Sequence, residues 1–134
     1  MYYCDGSTYK NGQPGQDSSF IVVKPDMSEI REHLGNYTIN YAELSAIIKA
    51  FEICELGAEI RSDSLICVNW VHRYKKTKGN KYLKELILYA QDLYHTKGLS
   101  LKHVPRDENV AGVRLEEEPF YKSVGNIKNG KVLN

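Results

Sequence analysis

The sequence predicts an α/β domain in which three antiparallel strands precede a series of helices and two parallel strands. Short, turn-bounded apolar segments occupy residues 1–38, and apolar residues then recur at helical spacing from Tyr41 to about Leu56. Two later strand patterns are each reached through a helical segment, and strands joined by such crossovers lie parallel in one sheet. We therefore expect a mixed sheet covered by helices.

The strand predictions follow from β-branched and aromatic segments bounded by turn formers. The aromatic first segment is separated from the second by Asn11-Gly12-Gln13-Pro14-Gly15, and the second stops before Pro25. The third segment is weaker, with Gly35-Asn36 as an irregularity. The predicted strands are residues 1–10, 20–23, about 30–38, 58–62 and 99–104.

The helix predictions rest on apolar periodicity and on end signals. Leu44, Ile47 and Phe51 share one face of the first helix, and Gly57 supplies its stop. Asn40 is the expected N-cap, with Glu43 three positions later in the manner of a capping box. The predicted helices are residues 41–56, 64–74 and 81–95, followed by one that begins near Asn109.

Composition predicts a single soluble domain. The chain has 134 residues, 42% of them apolar, and a net charge of +1. It contains no apolar run that could span a bilayer, and its start does not resemble a signal peptide, so we expect a cytoplasmic monomer with no membrane partner. Its three cysteines should be reduced core thiols. The domain is expected to cover residues 1–124, with 125–134 as a flexible, Gly/Asn/Lys-rich tail.

Three acidic residues suggest a metal site. Asp5 and Asp63 each end a predicted strand, and the carboxyl ends of parallel strands meet at one edge of a sheet. Glu43, in the first turn of a helix on that sheet, could reach the same edge. Three carboxylates without His or Cys suit Mg²⁺ or Mn²⁺. Taken singly, each acid could instead serve a turn, a cap or the helix dipole.

Four segments carry a resemblance to the ribonuclease H type I family and to the related domains of reverse transcriptases. They are Asp5-Gly6-Ser7, Thr38-Ile39-Asn40-Tyr41-Ala42-Glu43-Leu44, Arg61-Ser62-Asp63-Ser64 and Val104-Pro105-Arg106-Asp107-Glu108-Asn109. The resemblance covers about residues 1–118. It implies a five-stranded mixed sheet of order 3-2-1-4-5 with helices on both faces.

The resemblance also implies an activity. Members of this family cut the RNA strand of RNA–DNA hybrid duplexes, leaving 3′-hydroxyl and 5′-phosphate ends, with two divalent ions about 4 Å apart. Asp5 would bridge both ions, and Glu43 and Asp63 would complete the ion on the leaving-group side. The cofactors implied are two Mg²⁺ or Mn²⁺ ions, without an organic cofactor.

Substrate contacts are expected around this site and along a basic, aromatic-flanked segment. That segment, from Arg73 to Lys84, could lie along a phosphate backbone, or it could simply be a solvated surface. The candidate substrate-binding residues are Gly6, Ser7, Asn40, Ser64, Trp70, Arg73, Lys75, Lys76, Arg106 and Asn109. Ser7, Asn40 and Ser64 could equally bond their own backbone.

The fourth acid of the family pattern is missing from this sequence. Relatives place an Asp in the first turn of the last helix, where this chain has Val110-Ala111-Gly112-Val113. Asp107 in the preceding loop is the expected substitute, and Arg106 stands near the place of a His found in many relatives. Three outcomes therefore stay open: an active nuclease with an altered metal preference, a slow enzyme that works better with Mn²⁺, or an inactive domain that binds hybrids or proteins.

Two other classes of protein stay possible on the sequence alone. A nuclease of the wider fold shares acidic strand ends but ends in an acidic helix that this chain lacks. A flavodoxin-like or nucleotide-binding domain is disfavoured for two reasons: the opening meander of strands does not fit such a domain, and no glycine loop that could cradle a phosphate follows the first strand.

Overall fold

A sheet of five strands organises the molecule, and the computed structural model describes it within residues 1–8, 17–73 and 81–116. The strands are β1 (Tyr2–Thr8), β2 (Ser18–Val23), β3 (Glu29–Gly35), β4 (Glu59–Ser62) and β5 (Ser100–His103). The helices are α1 (Ile39–Ile53), α2 (Leu65–Arg73), α3 (Lys81–Thr96) and α4 (Val110–Glu116), with a 3₁₀ turn at Arg106–Glu108. Each element lies where the apolar pattern predicts it, with shifts of a few residues at the ends.

The strand order is β3-β2-β1-β4-β5, which confirms the predicted topology. The first three strands pair antiparallel, and β4 pairs parallel to both β1 and β5. The parallel pairing of β1 with β4 ends at Cys4↔Ser62. Asp5 and Asp63 each follow one member of that last pair, so the register brings their backbones side by side.

The sheet is covered on both faces because its strands alternate two sets of apolar residues. Phe20 and Val22 belong to the larger core, which α1, α2 and α3 cover. Ile21 and Val23 face the other side, where Ala111 and Leu115 of α4 complete a smaller core. The helices on both faces confirm the predicted fold class.

Two local predictions at strand and helix ends are wrong. Asp5 does not end its strand, because β2 continues the pairing as far as Thr8↔Ser18. Asn40 is not the N-cap of α1, because the side-chain oxygen of Thr38 accepts the hydrogen bond from Tyr41 N–H at 3.2 Å. Asn40 therefore lies inside the first turn, and the predicted capping box with Glu43 does not form.

Parts of several predictions lie outside the described residues. These are residues 9–16, which include the end of the first predicted strand and the turn after it, residues 74–80 of the basic segment, and residues 117–134, which include the predicted end of the domain and the tail. All three cysteines are buried free thiols, as predicted. Within the described ranges, no helix combines the length and the apolar character needed to cross a membrane.

Candidate metal and nucleic-acid site

Three acidic side chains converge at the edge of the sheet where the β1–β4 pairing ends. Asp5, Glu43 and Asp63 each offer a carboxylate oxygen, and these oxygens all lie within 4.8 Å of one another. Asp5 and Glu43 are almost fully buried, with exposed fractions of 3% and 8%. The structure therefore brings together the three acids that the sequence predicts as metal ligands.

Glu43 reaches the cluster because α1 packs unusually close to β1 at Gly6. A Cβ atom at Gly6 would lie 2.5 Å from the carbonyl carbon of Ala42 and from the amide nitrogen of Glu43. Real Cβ atoms do not approach backbone so closely, so only glycine fits at this position. The Gly6 N–H then donates a hydrogen bond to Glu43 Oε1 at 3.0 Å.

The two aspartates each present an oxygen that the protein leaves unsatisfied. Within the described ranges, Asp5 Oδ1 and Asp63 Oδ2 are buried side-chain atoms without a hydrogen-bond partner. A buried acceptor without a donor destabilises the fold by about 1–3 kcal/mol. A cation between the aspartates would satisfy both oxygens, so the residues present fit a hard divalent ion.

The electrostatics of the cluster point the same way. Burial, followed by the neighbouring charge of Asp63, raises the pKa of Asp5 to about 7. Burial, followed by the charges of Asp5 and Asp63, raises the pKa of Glu43 to about 9. Three carboxylates held this close disfavour one another's charged forms, and a divalent ion would reverse that effect.

A cleft of about 180 Å³ opens beside the carboxylates. It is lined by Asp5, Gly6, Ser7, Thr8, Ile39, Glu43, Arg106 and Leu115. Arg106 is the positively charged residue of this lining, and its charge acts to lower the pKa of Asp5 against the larger effect of burial. The cleft thus presents an acidic floor and a guanidinium on its rim.

The predicted substitute for the fourth acid does not join the cluster. Asp107 lies in the exposed 3₁₀ turn Arg106–Glu108, and the acidic group formed by the described residues contains only Asp5, Glu43 and Asp63. Within the turn, the N–H groups of Glu108 and Asn109 donate hydrogen bonds to the carbonyl oxygens of Pro105 and Arg106, and the Asp107 side chain is exposed. The first turn of α4 instead brings Gly112 against Asp5, where a Cβ would lie 3.3 Å from Asp5 Oδ2.

Several predicted substrate contacts have structural roles in this arrangement. Asn109 is fully buried and makes two hydrogen bonds inside the protein, so it has no surface to offer a substrate, and that expectation is corrected. Ser64 Oγ accepts a hydrogen bond from Cys67 N–H at 3.2 Å, the capping role that was the alternative interpretation. Trp70 is partly buried against the larger core.

Other predicted contacts line the cleft, are partly or fully exposed, or lie outside the described residues. Gly6 and Ser7 line the cleft, and the Ser7 and Ser19 hydroxyls lie 3.3 Å apart. Asn40 is half-buried and its carbonyl oxygen accepts a weak hydrogen bond from the Cys67 thiol at 3.6 Å. Arg73 is exposed at the end of α2, whereas Lys75 and Lys76 lie outside the described residues.

Sequence reasoning missed two residues that shape the site. Thr38 was missed as the cap because Asn40 looked like the stronger capping residue next to Glu43. Gly112 was missed as a packing residue, although a glycine inside a helical segment often marks a close approach. The collision that a side chain at Gly6 would cause also appears only in three dimensions.

Solved structures with the same architecture define the class of the domain. The RNase H1 of the halophilic archaeon Halobacterium salinarum is 25% identical, with a TM-score of 0.69 over 90% of this chain and 96% of that one. LC11-RNase H1, solved in complex with an RNA/DNA hybrid, is 23% identical, with a TM-score of 0.65 over 85% of this chain and 91% of that one. The chain therefore has the RNase H-like α/β fold.

Sequence comparison then gives the family. The model of the RNase H family matches residues 1–112, and the chain belongs to that family. A ribonuclease H of Schizosaccharomyces pombe is 33% identical over an alignment of 118 residues that covers 78% of this chain and 45% of that protein. The chain thus spans less than half the length of this curated relative.

Proposed function

We propose that this chain is a metal-dependent endonuclease that hydrolyses the RNA strand of RNA–DNA hybrids, leaving 3′-hydroxyl and 5′-phosphate ends. One observation carries the proposal: three buried carboxylates converge on one edge of an RNase H fold, and two of their oxygens have no donor within the described residues. Leaving such oxygens unpaired costs stability, so the cluster is best explained by a cation that they bind. Family membership and the relative solved with an RNA/DNA hybrid support the choice of substrate.

In this proposal Asp5, Glu43 and Asp63 would hold the two Mg²⁺ or Mn²⁺ ions. Divalent ions in such a site activate a water molecule and stabilise the departing 3′ oxygen. The protein's own part is to fix the acids. The Gly6 N–H orients Glu43, and the register of β1 with β4 places Asp5 beside Asp63.

Substrate binding is proposed for the rim of the cleft and for the basic segment. Ser7 lines the cleft, and Asn40 follows Ile39, which also lines it. In this proposal the Ser7 hydroxyl and the Asn40 amide would read the 2′-hydroxyls that only the RNA strand offers. Arg106, which lines the cleft, would contact a phosphate near the scissile bond. Arg73, Lys75 and Lys76 would contact the backbone further along the duplex.

A second function is favoured by the first turn of α4. That turn carries no carboxylate, and Asp107 does not replace it in the acidic group of the described residues. A domain that binds only one ion tightly would bind hybrids but cleave them slowly or not at all. The alternative is thus a hybrid-binding module or a protein-interaction module on the same fold.

The chain is further proposed to act in the cytoplasm as a monomer, without an organic cofactor. This part of the proposal rests on its composition and size alone.

The test incubates the protein and its Asp5→Asn variant with a labelled RNA–DNA duplex, in Mg²⁺ and separately in Mn²⁺. We expect cuts in the RNA strand that end in 3′-hydroxyls and that disappear in the variant. A DNA duplex of the same sequence is the matched substrate control and should stay intact. Tight hybrid binding without cleavage in either metal would favour the binding module instead, and cleavage retained in Asp5→Asn would refute the assigned site.

A further inference from the structure

Asn109 is a fully buried polar side chain between β1 and α4, and the proposed chemistry makes no use of it. Its Nδ2 donates a hydrogen bond to the carbonyl oxygen of Cys4 at 2.8 Å. Its Oδ1 accepts a hydrogen bond from Ala111 N–H at 3.1 Å, inside the first turn of α4. One side chain therefore joins the residue that precedes Asp5 to the start of the last helix.

The same helical turn packs directly on the Asp5 carboxylate. At Gly112, an added Cβ would lie 3.3 Å from Asp5 Oδ2, 3.6 Å from Asp5 Cγ and 3.8 Å from the Cβ of Asn109. Asn109, Gly112 and Asp5 thus form one packed unit. The distance from α4 to β1, which the Asn109 side chain bridges, sets the space in which the carboxylate can turn.

The charged carboxylate needs such a constraint because the other two acids can hold it by hydrogen bonds only while a proton is shared between them. Asp5 Oδ1 has no hydrogen-bond partner within the described ranges, and the nearest acids repel it when they are charged. In sites of this kind, ligand orientation comes from residues in the next layer, whose replacement typically weakens metal binding by about 10–100-fold.

We propose that Asn109 is a positioning residue that holds α4 against β1 and thereby fixes the Asp5 carboxylate for cation binding. The inference rests on the proposed function, since it concerns the same three acids. A plain helix cap would require only the Oδ1 acceptor of Asn109, whereas the positioning role also requires its Nδ2 donor.

Two substitutions separate positioning from capping. Ser is about as good a cap as Asn, but its short side chain lacks the donor that spans to Cys4, whereas Ala lacks both groups. We expect Asn109→Ser and Asn109→Ala each to weaken Mn²⁺ binding by at least about tenfold. If Asn109 were only a cap, Asn109→Ser would bind Mn²⁺ like the wild type.

A third variant perturbs the Asp5 carboxylate without changing Asn109, so the test does not depend on the folding of the Asn109 variants alone. Gly112→Ala leaves both hydrogen bonds of Asn109 in place but presses a methyl group towards Asp5 Oδ2. It should also weaken Mn²⁺ binding by several fold. Lys97→Met is the matched control, because it removes hydrogen bonds to the carbonyl oxygens of Phe51 and Glu52 at the opposite end of α1 from Glu43. It should lower the melting temperature without changing Mn²⁺ affinity.

The measurement is the free Mn²⁺ signal in electron paramagnetic resonance, without nucleic acid, at a temperature where circular dichroism shows every variant folded. Wild-type affinity in Asn109→Ser and Gly112→Ala would overturn this inference while leaving the proposed function intact. Absence of Mn²⁺ binding in the wild type would overturn both. An equal loss of affinity in Lys97→Met would show that stability, not positioning, controls binding, and would also overturn the inference.

Discussion

The amide N–H of Gly6 donates a hydrogen bond to Glu43 Oε1 at 3.0 Å, so a helix carboxylate is tied to the strand residue that follows Asp5. This bond requires α1 to lie almost in contact with β1, which only a residue without a side chain permits. One backbone contact thereby links the acids of two different elements, and the chemistry of the site depends on it.

We expect Gly6→Ala to destabilise the fold and to weaken the site. The new methyl group would meet the backbone of Ala42 and Glu43 at 2.5 Å, so α1 must move away from β1. Overpacking of this kind costs about 1–3 kcal/mol of unfolding free energy. Urea unfolding followed by circular dichroism measures it.

Ser7→Ala is the neighbouring control for that measurement. It removes only the contact between the Ser7 and Ser19 hydroxyls and should cost less than about 1 kcal/mol. If Gly6→Ala were as stable as Ser7→Ala, the close approach of α1 would not be a constraint of the fold.

The three acids of the site were more predictable from the sequence than their surroundings. The convergence of Asp5, Glu43 and Asp63 could be predicted because β1 and β4 are parallel, so the residues after their last paired positions lie at one edge of the sheet, within reach of the start of a helix packed on it. The surroundings of Asp5 could not be predicted in the same way. Alternation along β1 does not show that β2 continues the pairing past Asp5, nor that Gly112 packs on it.

The fold was more predictable than the helix ends, because the fold depends on many residues and a helix end depends on few. Strand order follows from apolar segments and crossovers, which involve many residues at once. A cap depends on a single hydrogen bond, and Thr38 and Asn40 are both good caps by residue type. Asn109 shows the same limit, because its surface or buried position depends on how α4 docks.

Without metal, stability should fall as the pH rises from about 4 to about 9. The unfolded carboxyl groups lose their protons near pH 4, whereas burial raises the folded pKa of Asp5 to about 7 and that of Glu43 to about 9. In this window the folded state holds protons that the unfolded chain has released, so the free energy of unfolding decreases with pH. Urea unfolding in a chelator at several pH values measures the slope.

The double variant Asp5→Asn/Glu43→Gln is the control for this pH dependence. Its neutral amides replace both carboxyl groups with raised pKa values, so its unfolding free energy should change less between pH 4 and 9. Identical slopes in the variant and the wild type would mean that the pKa values of these two acids are not raised in the folded protein.

Replacement of Arg106 should move the acidic limb of the pH–activity profile to higher pH. The Arg106 guanidinium lowers the pKa of Asp5, and its loss leaves burial and Asp63 to raise that pKa further. Asp5 would then stay protonated, and unable to bind a cation, over more of the neutral range. We expect a rightward shift in Arg106→Gln and little shift in Arg106→Lys, measured as cleavage rate against pH. A Gln variant with the wild-type profile would contradict this electrostatic role.

Asp107→Asn should leave the cleavage rate within about twofold of the wild type. The side chain lies in an exposed turn outside the acidic group of the described residues, and exposed substitutions rarely have large effects. Single-turnover cleavage in Mg²⁺ measures the rate. Glu108→Gln, in the same turn, controls for the loss of one negative charge. A loss of tenfold or more in Asp107→Asn alone would show that this acid swings to the metal edge when substrate binds.

Val113→Asp should strengthen metal binding and raise activity in Mg²⁺. Val113 follows Gly112, which packs on Asp5, and it belongs to the segment of residues 110–113, where the resemblance implies that relatives carry their fourth acid. The side chain is 38% exposed, so the substitution should cost the fold little. A fourth carboxylate would add a charged oxygen ligand on the side that now lacks one.

Val113→Asn is the matched control, because it has the same shape without the charge and should leave metal affinity close to that of the wild type. Calorimetric titration with Mg²⁺ and cleavage assays measure both effects, and equal results for the Asp and Asn variants would show that this position does not face the bound ions.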